Sequence, residues 1–340
     1  MSMQEFPVVT VVTLVYNTGK FVVRGLDSLL AQTYPKDKID HIIIDDCSSD
    51  DSVQTINNWL ASHQDHSANF IIHHKNYGLC KGLNEGLALA KGKYVAPMSD
   101  DLWKPEKLHA SIGEFEKLPT DYAIVYTPID VCNEDDEVYM TDVIQEPRII
   151  PEDMFIECIT NSLVIPGVTS IYRTSALIDI GGFDERLTFE DTDIVLRLCS
   201  RYKFYLYNQS LTIYRKNLKN PNSISDKHIK NPGTVIDFLK MNANALGQSI
   251  ERDNLLASAY LDQMEVWYLY RYNRRFSLRK TRNYSTAWVK SRLSIYRDKR
   301  QFRKYYFLLC QLLFKKYTPY NLRDIFFLLR KYYDKDFRFF

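Results

Sequence analysis

The run VVTVVTLV, Val8 to Val15, places β-branched residues side by side with no polar face, and it is too short for a helix. Such a run predicts a parallel strand buried on both sides. The period then changes. From Phe21 onward Val22, Leu26, Leu29 and Leu30 recur at helical spacing, and Pro35 stops the pattern after Thr33 and Tyr34. HIIID, His41 to Asp45, predicts a second strand. A helix capped around Ser49 or Asp50 follows, with Val53, Ile56 and Leu60 on its apolar face. NFIIHH and YVAPM predict two more strands, separated by a helix whose apolar face is Leu79, Leu83, Leu87 and Ala90. Strand and helix alternate through the first hundred residues, which predicts an α/β fold with a mainly parallel sheet and helices on both faces.

Parallel strands end on one edge, and in open α/β sheets that edge binds ligands. Tyr16 and Asn17, Asp45 and Asp46, Asn76, and Ser99 to Asp101 stand at these ends. Each alone reads as a solvated loop residue or cap, but four such ends together predict a crevice. Asp100 and Asp101 in APMSDDLW are adjacent like charges that must stay hydrated or find a cation. Their hard oxygens suit Mg²⁺ or Mn²⁺ bridging a diphosphate; the competing reading is a cap for the helix starting near Pro105. After the first strand stands YNTGKF rather than GxGxxG, and no GxxxxGK[ST] occurs, so a glycine-rich phosphate cradle is not expected. A second acid cluster, FDERLTFEDTDIVLRL, precedes Ile194, Val195 and Leu198 at helical spacing; capping accounts for Asp193 and for Glu190 without chemistry. Gly181 and Gly182 predict a turn with close packing. Trp103 reads equally as a sugar-stacking ring or as core. The acidic loop NEDDEV reads as solvated, and GVTSIYRTSAL as an acceptor-side wall.

Composition adds one feature. With 340 residues and 45% apolar content the chain can bury at least one full core, and its formal charge is only +2. Yet residues 271–340 hold 20 Lys and Arg against 4 Asp and Glu, a net +16, which leaves 24 against 38, or −14, for residues 1–270. An acidic body carries a basic, aromatic tail. Six cysteines lie singly, with no CxxC and no zinc-finger histidines, and fit reduced thiols in the cytoplasm. The seven histidines form no HxxxH or HExxH pattern, so His41, His73 and His74 are expected as strand or edge residues. MSMQEFPVV lacks the features of a signal peptide, and the longest apolar run, Tyr305 to Phe314, is half the length of a bilayer span. SISDKHIKNPG marks a boundary after about residue 225.

Four segments then carry a resemblance. VVTLVYNTGKFVVRGLDSLLAQTY, IIIDDCSSDDS, NYGLCKGLNEGLALAKGKYVAPMSDDLWKPEKL and GGFDERLTFEDTDIVLRL resemble, in order, the motifs of inverting family 2 glycosyltransferases with the GT-A fold, over roughly residues 7–217. The resemblance implies a catalytic domain over 1–225; beyond it, Val235, Phe238 and Leu239 and later Leu255, Leu256, Tyr260 and Leu261 recur at helical spacing and predict a helical C-terminal region over 226–340. It implies that Asp46 accepts hydrogen bonds from the nucleotide base, most often uracil, with Thr13 and Tyr16 shaping that pocket. Asn76, Lys81 and Asn84 would line the nucleotide side. Asp101 would hold Mn²⁺ or Mg²⁺, with Asp100 near the ribose or metal. Ser99 stands where the family often has another Asp. Asp191 would be the catalytic base and Glu190 its support, while Arg215, and less so Lys216, would meet the diphosphate.

The expected activity is transfer from a nucleotide sugar, a UDP-sugar first, to a glycan or lipid-linked acceptor in surface polysaccharide synthesis. The alternative is a non-catalytic nucleotide-sugar-binding or membrane-scaffold protein of the same fold. For the tail, an anionic membrane surface uses both cations and aromatics, which places the protein on the cytoplasmic face of the membrane. A structural helical appendage and self-association as a homo-oligomer are the other readings. Nucleic acid is not expected, since the acidic body would repel it.

Overall fold

In the computed structural model, residues 6–143 and 165–216 are described. The predicted alternation is present. Strand β1 (Val9–Val15) leads into helix α1 (Gly19–Leu30), β2 (Ile39–Asp45) into α2 (Ser52–Ser62), and β3 (Ala68–Ile72) into α3 (Leu79–Leu89). Then come β4 (Tyr94–Met98), a two-residue strand β5 (Leu102–Trp103) and α4 (Lys107–Phe115). β6 (Tyr122–Tyr126), β7 (Ile129–Cys132) and β8 (Val138–Val143) follow. After a 3-10 turn at Gly167–Thr169 come β9 (Ile171–Arg173), α5 (Thr174–Asp179), α6 (Asp191–Cys199), β10 (Lys203–Leu206) and β11 (Thr212–Arg215).

The main sheet runs β10-β6-β9-β4-β1-β2-β3. Strands β4, β1, β2 and β3 are mutually parallel, while β9 inserts antiparallel between β4 and β6. Side chains alternate across β1 as the pleat requires. Val11 and Val15 face the side that packs with Leu26, Ile56, Trp59 and Ile112 of α1, α2 and α4; Val12 faces Leu83, Leu177, Ile194 and Leu198 of α3, α5 and α6. Both faces are covered, and this is why β1 and β2 carry no polar stripe. Burying each of these large apolar side chains stabilises the fold by about 1.5–3 kcal/mol.

From β1 the chain winds out to β3 and then returns to place β4 on the opposite flank of β1. That reversal opens a crevice at the carboxyl ends of β1 and β4. A smaller sheet, β5-β11-β7-β8, borders it. Asp100 and Asp101 cap no helix. β5 separates them from α4, whose N-cap position is Glu106. Among the described residues no helix is long and apolar enough to cross a membrane, and Cys47, Cys80, Cys132 and Cys199 are free thiols. The boundary expected near residue 225 and the basic tail lie outside the described residues.

Candidate active site

The acid pair is held by a strand pairing that brings together Asp101 and Arg215, 114 positions apart in sequence. β5 pairs with β11 through Trp103↔Thr212 and Leu102↔Ile213, so the flanking residues Asp101 and Arg215 are brought together. The Arg215 amide donates to Asp101 Oδ1 at 2.9 Å, and the Ser99 hydroxyl donates to Oδ2 at 2.9 Å. Ser99, where the family often has Asp, thus orients Asp101. Helix α1 crosses close to the same turn. A Cβ on Gly25 would lie 3.0 Å from the Ser99 carbonyl oxygen.

Burial, and next the neighbouring Asp100, push the Asp101 carboxyl up to about 7. Asp100 is raised as well, chiefly by burial. A buried pair of like charges gains from a cation, and carboxylate oxygens suit a hard one. Among the described residues no three His, Cys, Asp or Glu side chains converge on one point, so a divalent ion here would need donor or water oxygens to complete its shell.

Arg215 is almost wholly enclosed. Its guanidinium pairs with Asp136 and lies over the Phe21 ring at 4.9 Å, and Nη2 has no partner. Arg24 pairs with the same Asp136. The loop read as solvated is not wholly so: Asp136, at the β7–β8 turn, pairs with two arginines brought by α1 and β11 and offsets one of their two charges. Lys216, by contrast, is exposed.

The second acid pair opens α6. Glu190 occupies the N-cap position without a side-chain capping bond, and Asp191 Oδ1 accepts the Thr192 amide at 2.7 Å. Burial first and the Asp191 charge second push Glu190 up to about 8; burial raises Asp191 too. Asp193, in the first turn of α6, forms a buried ion pair with Arg197 at 2.6 Å.

One turn and one buried lysine link the surroundings of the two acid pairs. A Cβ on Gly167 would lie 2.8 Å from Glu190 Oε1. The carbonyls of Val168 and Thr169, next in the chain, accept from Lys107 Nζ at 3.1 and 3.3 Å, and the Thr212 hydroxyl of β11 accepts from the same Nζ at 2.6 Å. Lys107 is fully buried, and burial lowers it to about 7, against the nearby Asp101 charge. It therefore ties the strand beside Asp101 to the turn beside Glu190. Nothing in the sequence marks Lys107, because a buried lysine and a surface one read alike.

The nucleotide-side residues separate into two groups. Tyr16 stands 47% exposed at the end of β1, and Asn76 is exposed near the end of β3. Asp46, at the end of β2, accepts the amides of Tyr77 and Gly78, each at 2.8 Å, and a ring nitrogen of His73 at 2.8 Å. These stand beyond the carboxyl ends of the parallel strands. Thr13 does not. It points away from the strand ends into the layer under α1 and α2, fully buried, and bonds His41 Nε2 at 2.8 Å. Asn84 braces another loop, exchanging bonds of 2.8 Å with the Phe183 amide and carbonyl, and Lys81 pairs with Glu185 at 3.3 Å. Trp103 is core, packed near Met98 and Leu108 with Lys107 over its ring, so the sugar-stacking reading falls away. The segment expected as an acceptor wall is split: Gly167–Thr169 faces Glu190, whereas β9 lies inside the sheet.

Comparison with known proteins bears on this arrangement. The sequence pattern of Glycosyl transferase family 2 matches residues 10–181, half of the chain. The chain belongs to glycosyl transferase family 2. An uncharacterized glycosyltransferase of Rickettsia typhi is 31% identical over 58% of this chain and 61% of its own length. The putative colanic acid biosynthesis glycosyl transferase WcaA of Escherichia coli is 28% identical over 40% of this chain and 47% of its own. The chain thus spans less than two thirds of these curated relatives. Among solved structures, S. aureus TarS 1-349 in complex with UDP-GlcNAc aligns with a TM-score of 0.59 at 20% identity, over 83% of this chain and 79% of that one. Mannosyltransferase PcManGT from Pyrobaculum calidifontis in complex with GDP-Man and Mn2+ aligns at 0.54 and 17%, over 92% and 88%. These likenesses establish the fold as that of the GT-A glycosyltransferases.

Proposed function

We propose that this family 2 protein is an inverting glycosyltransferase that moves a sugar from a UDP-sugar to a hydroxyl of a glycan or lipid-linked acceptor in surface polysaccharide synthesis. The observation that carries the reading is the tie made by buried Lys107 between β11, whose Arg215 amide holds Asp101, and the Gly167–Thr169 turn, which lies against Glu190 of the second, half-buried acid pair. The donor class rests on the UDP-GlcNAc and GDP-Man carried by the structural neighbours.

Asp191 takes the acceptor's hydroxyl proton on a carboxylate oxygen as that hydroxyl attacks the anomeric carbon from the face opposite the nucleotide. Glu190 beside it raises the pair's proton affinity, which suits a base working near neutrality. One displacement inverts the centre, so an α-linked donor gives a β-glycoside. Asp101, held by Ser99 and the Arg215 amide, and Asp100 would hold the divalent cation, which when bound supplies positive charge against the departing diphosphate. The unpartnered Nη2 of Arg215 adds to that charge. The segment 271–340 serves to dock the catalytic domain, residues 1–225, on an anionic membrane at the cytoplasmic face.

The test is nucleotide release from UDP-, GDP- and dTDP-sugars with and without Mn²⁺, with the product's anomeric configuration read by NMR. A Mn²⁺-dependent release with inverted product is expected. Failure of every donor to turn over would favour a non-catalytic binding protein, and a retained anomer would exclude the single displacement.

A further inference from the structure

Strand β3 ends at Ile72, and the next amide, that of His73, donates to the Asp45 carbonyl at 2.9 Å. This continues the sheet's ladder by one residue and places the His73 ring beside Asp46. Only 7% of the side chain is exposed. Nδ1 lies 2.8 Å from Asp46 Oδ1, and Nε2 lies 2.8 Å from Glu85 Oε2 on α3. Ionised carboxylates only accept hydrogen bonds, and a neutral imidazole has one N–H to give. Both bonds form together only when both ring nitrogens carry hydrogen, so the geometry calls for an imidazolium.

Asp46 is correspondingly full. Oδ1 accepts from His73 and from the Tyr77 amide, and Oδ2 accepts from the Gly78 amide. Of the roughly four acceptor positions on a carboxylate, one is left, on Oδ2. The groups facing His73 are Asp46 from β2, Glu85 from α3 and, from its own loop, the Tyr77 ring edge-on at 5.0 Å. Lys81, one helical turn before Glu85, pairs with Glu185 instead.

We infer that His73 is a cationic positioning residue: clamped between Asp46 and Glu85, it sets the Asp46 carboxylate and the His73–Gly78 loop to receive the nucleotide end of the donor. The inference rests on the donor-binding reading above and deepens it. Burial alone would lower the ring's pKa, but the bonds to Asp46 and Glu85 outweigh it and the net shift from 6.5 is upward. The clamp is therefore complete below the ordinary imidazole range and is lost as pH rises through the elevated folded value. Loss of the proton removes one bond and the charge that balances Asp46, and donor affinity weakens with it.

Two measurements on the full chain separate the outcomes. The first needs no ligand. Ring resonances are titrated by NMR in the wild type and in His73→Gln, which assigns the signal, and in Glu85→Gln, whose partly exposed side chain tolerates the change. His73 is expected to titrate above 6.5, and Glu85→Gln to lower that midpoint. The second is the Kd of UDP between pH 6 and 9. It is expected to weaken by about tenfold in the wild type, the effect of roughly one pKa unit between free and bound forms, and to stay flat in His73→Gln. A ring titrating at or below 6.5, or parallel Kd profiles in wild type and variant, would overturn the role of His73 while leaving donor binding intact. Absence of binding by UDP, GDP and dTDP alike would overturn the donor-binding reading and this inference together.

Discussion

Glu190 and Asp191 show how a site differs from a cap. Acids at a helix start ordinarily ionise freely toward solvent and favour the helix dipole. Here burial and mutual repulsion hold Glu190 up to about 8. An acid whose folded pKa is raised contributes stability below its unfolded value and loses it as pH climbs. Thermal stability is therefore expected to fall between about 4.5 and about 8. Glu190→Gln should flatten that slope and gain about 1–3 kcal/mol near pH 8.5, measured by denaturant unfolding across pH. Asp191, also raised, keeps part of the slope. Turnover should move the opposite way, rising with pH as the pair gives up its second proton, with an apparent pKa belonging to the pair. Lys107→Met should cut turnover while leaving donor affinity within about threefold, since it removes the tie between the two acid pairs rather than a ligand contact. A fall in donor affinity matching the fall in turnover would count against that role.

At the scale of elements, close approaches decide what can change. Gly182 has φ +72, in the left-handed region, and a Cβ there would lie 2.6 Å from Asn84 Oδ1. Gly182→Ala should cost about 1–3 kcal/mol in unfolding free energy through both strain and the broken Asn84 clamp. An unchanged midpoint would show that the loop relaxes freely. The long elements were legible in the sequence because their signals are local: β1 and β2 as β-branched runs, α1 to α3 as helical periods. β5, β9 and β11 were not, because two to four residues carry no period and owe their conformation to partners far along the chain. The meeting of Asp101 with Arg215 depends on that pairing, as does the ion pair of Arg215 with Asp136. Thr13 was misread for a related reason. Its place in the strand was clear, but the face it points to is fixed by the pleat, and that face belongs to the core. His73 and Lys107 are invisible until their partners are known. The turn at Gly181 and Gly182, by contrast, was read directly from composition.

At the scale of the molecule, the charge asymmetry sets the test. The tail's +16 against the body's −14 predicts attraction to anionic surfaces that salt weakens. The full chain should sediment with phosphatidylserine-containing vesicles at low ionic strength and be released by about 0.5 M salt. Equal partitioning onto neutral vesicles would argue for an apolar rather than an electrostatic attachment. The role of Asp191 as base is read out by Asp191→Asn, with turnover and UDP affinity measured on the same preparation. Turnover is expected to drop by about 10²–10⁴, the usual worth of a positioned base, while UDP binding stays within about twofold. An Asp191→Asn protein that turns over like the wild type would show that another group takes the acceptor's proton.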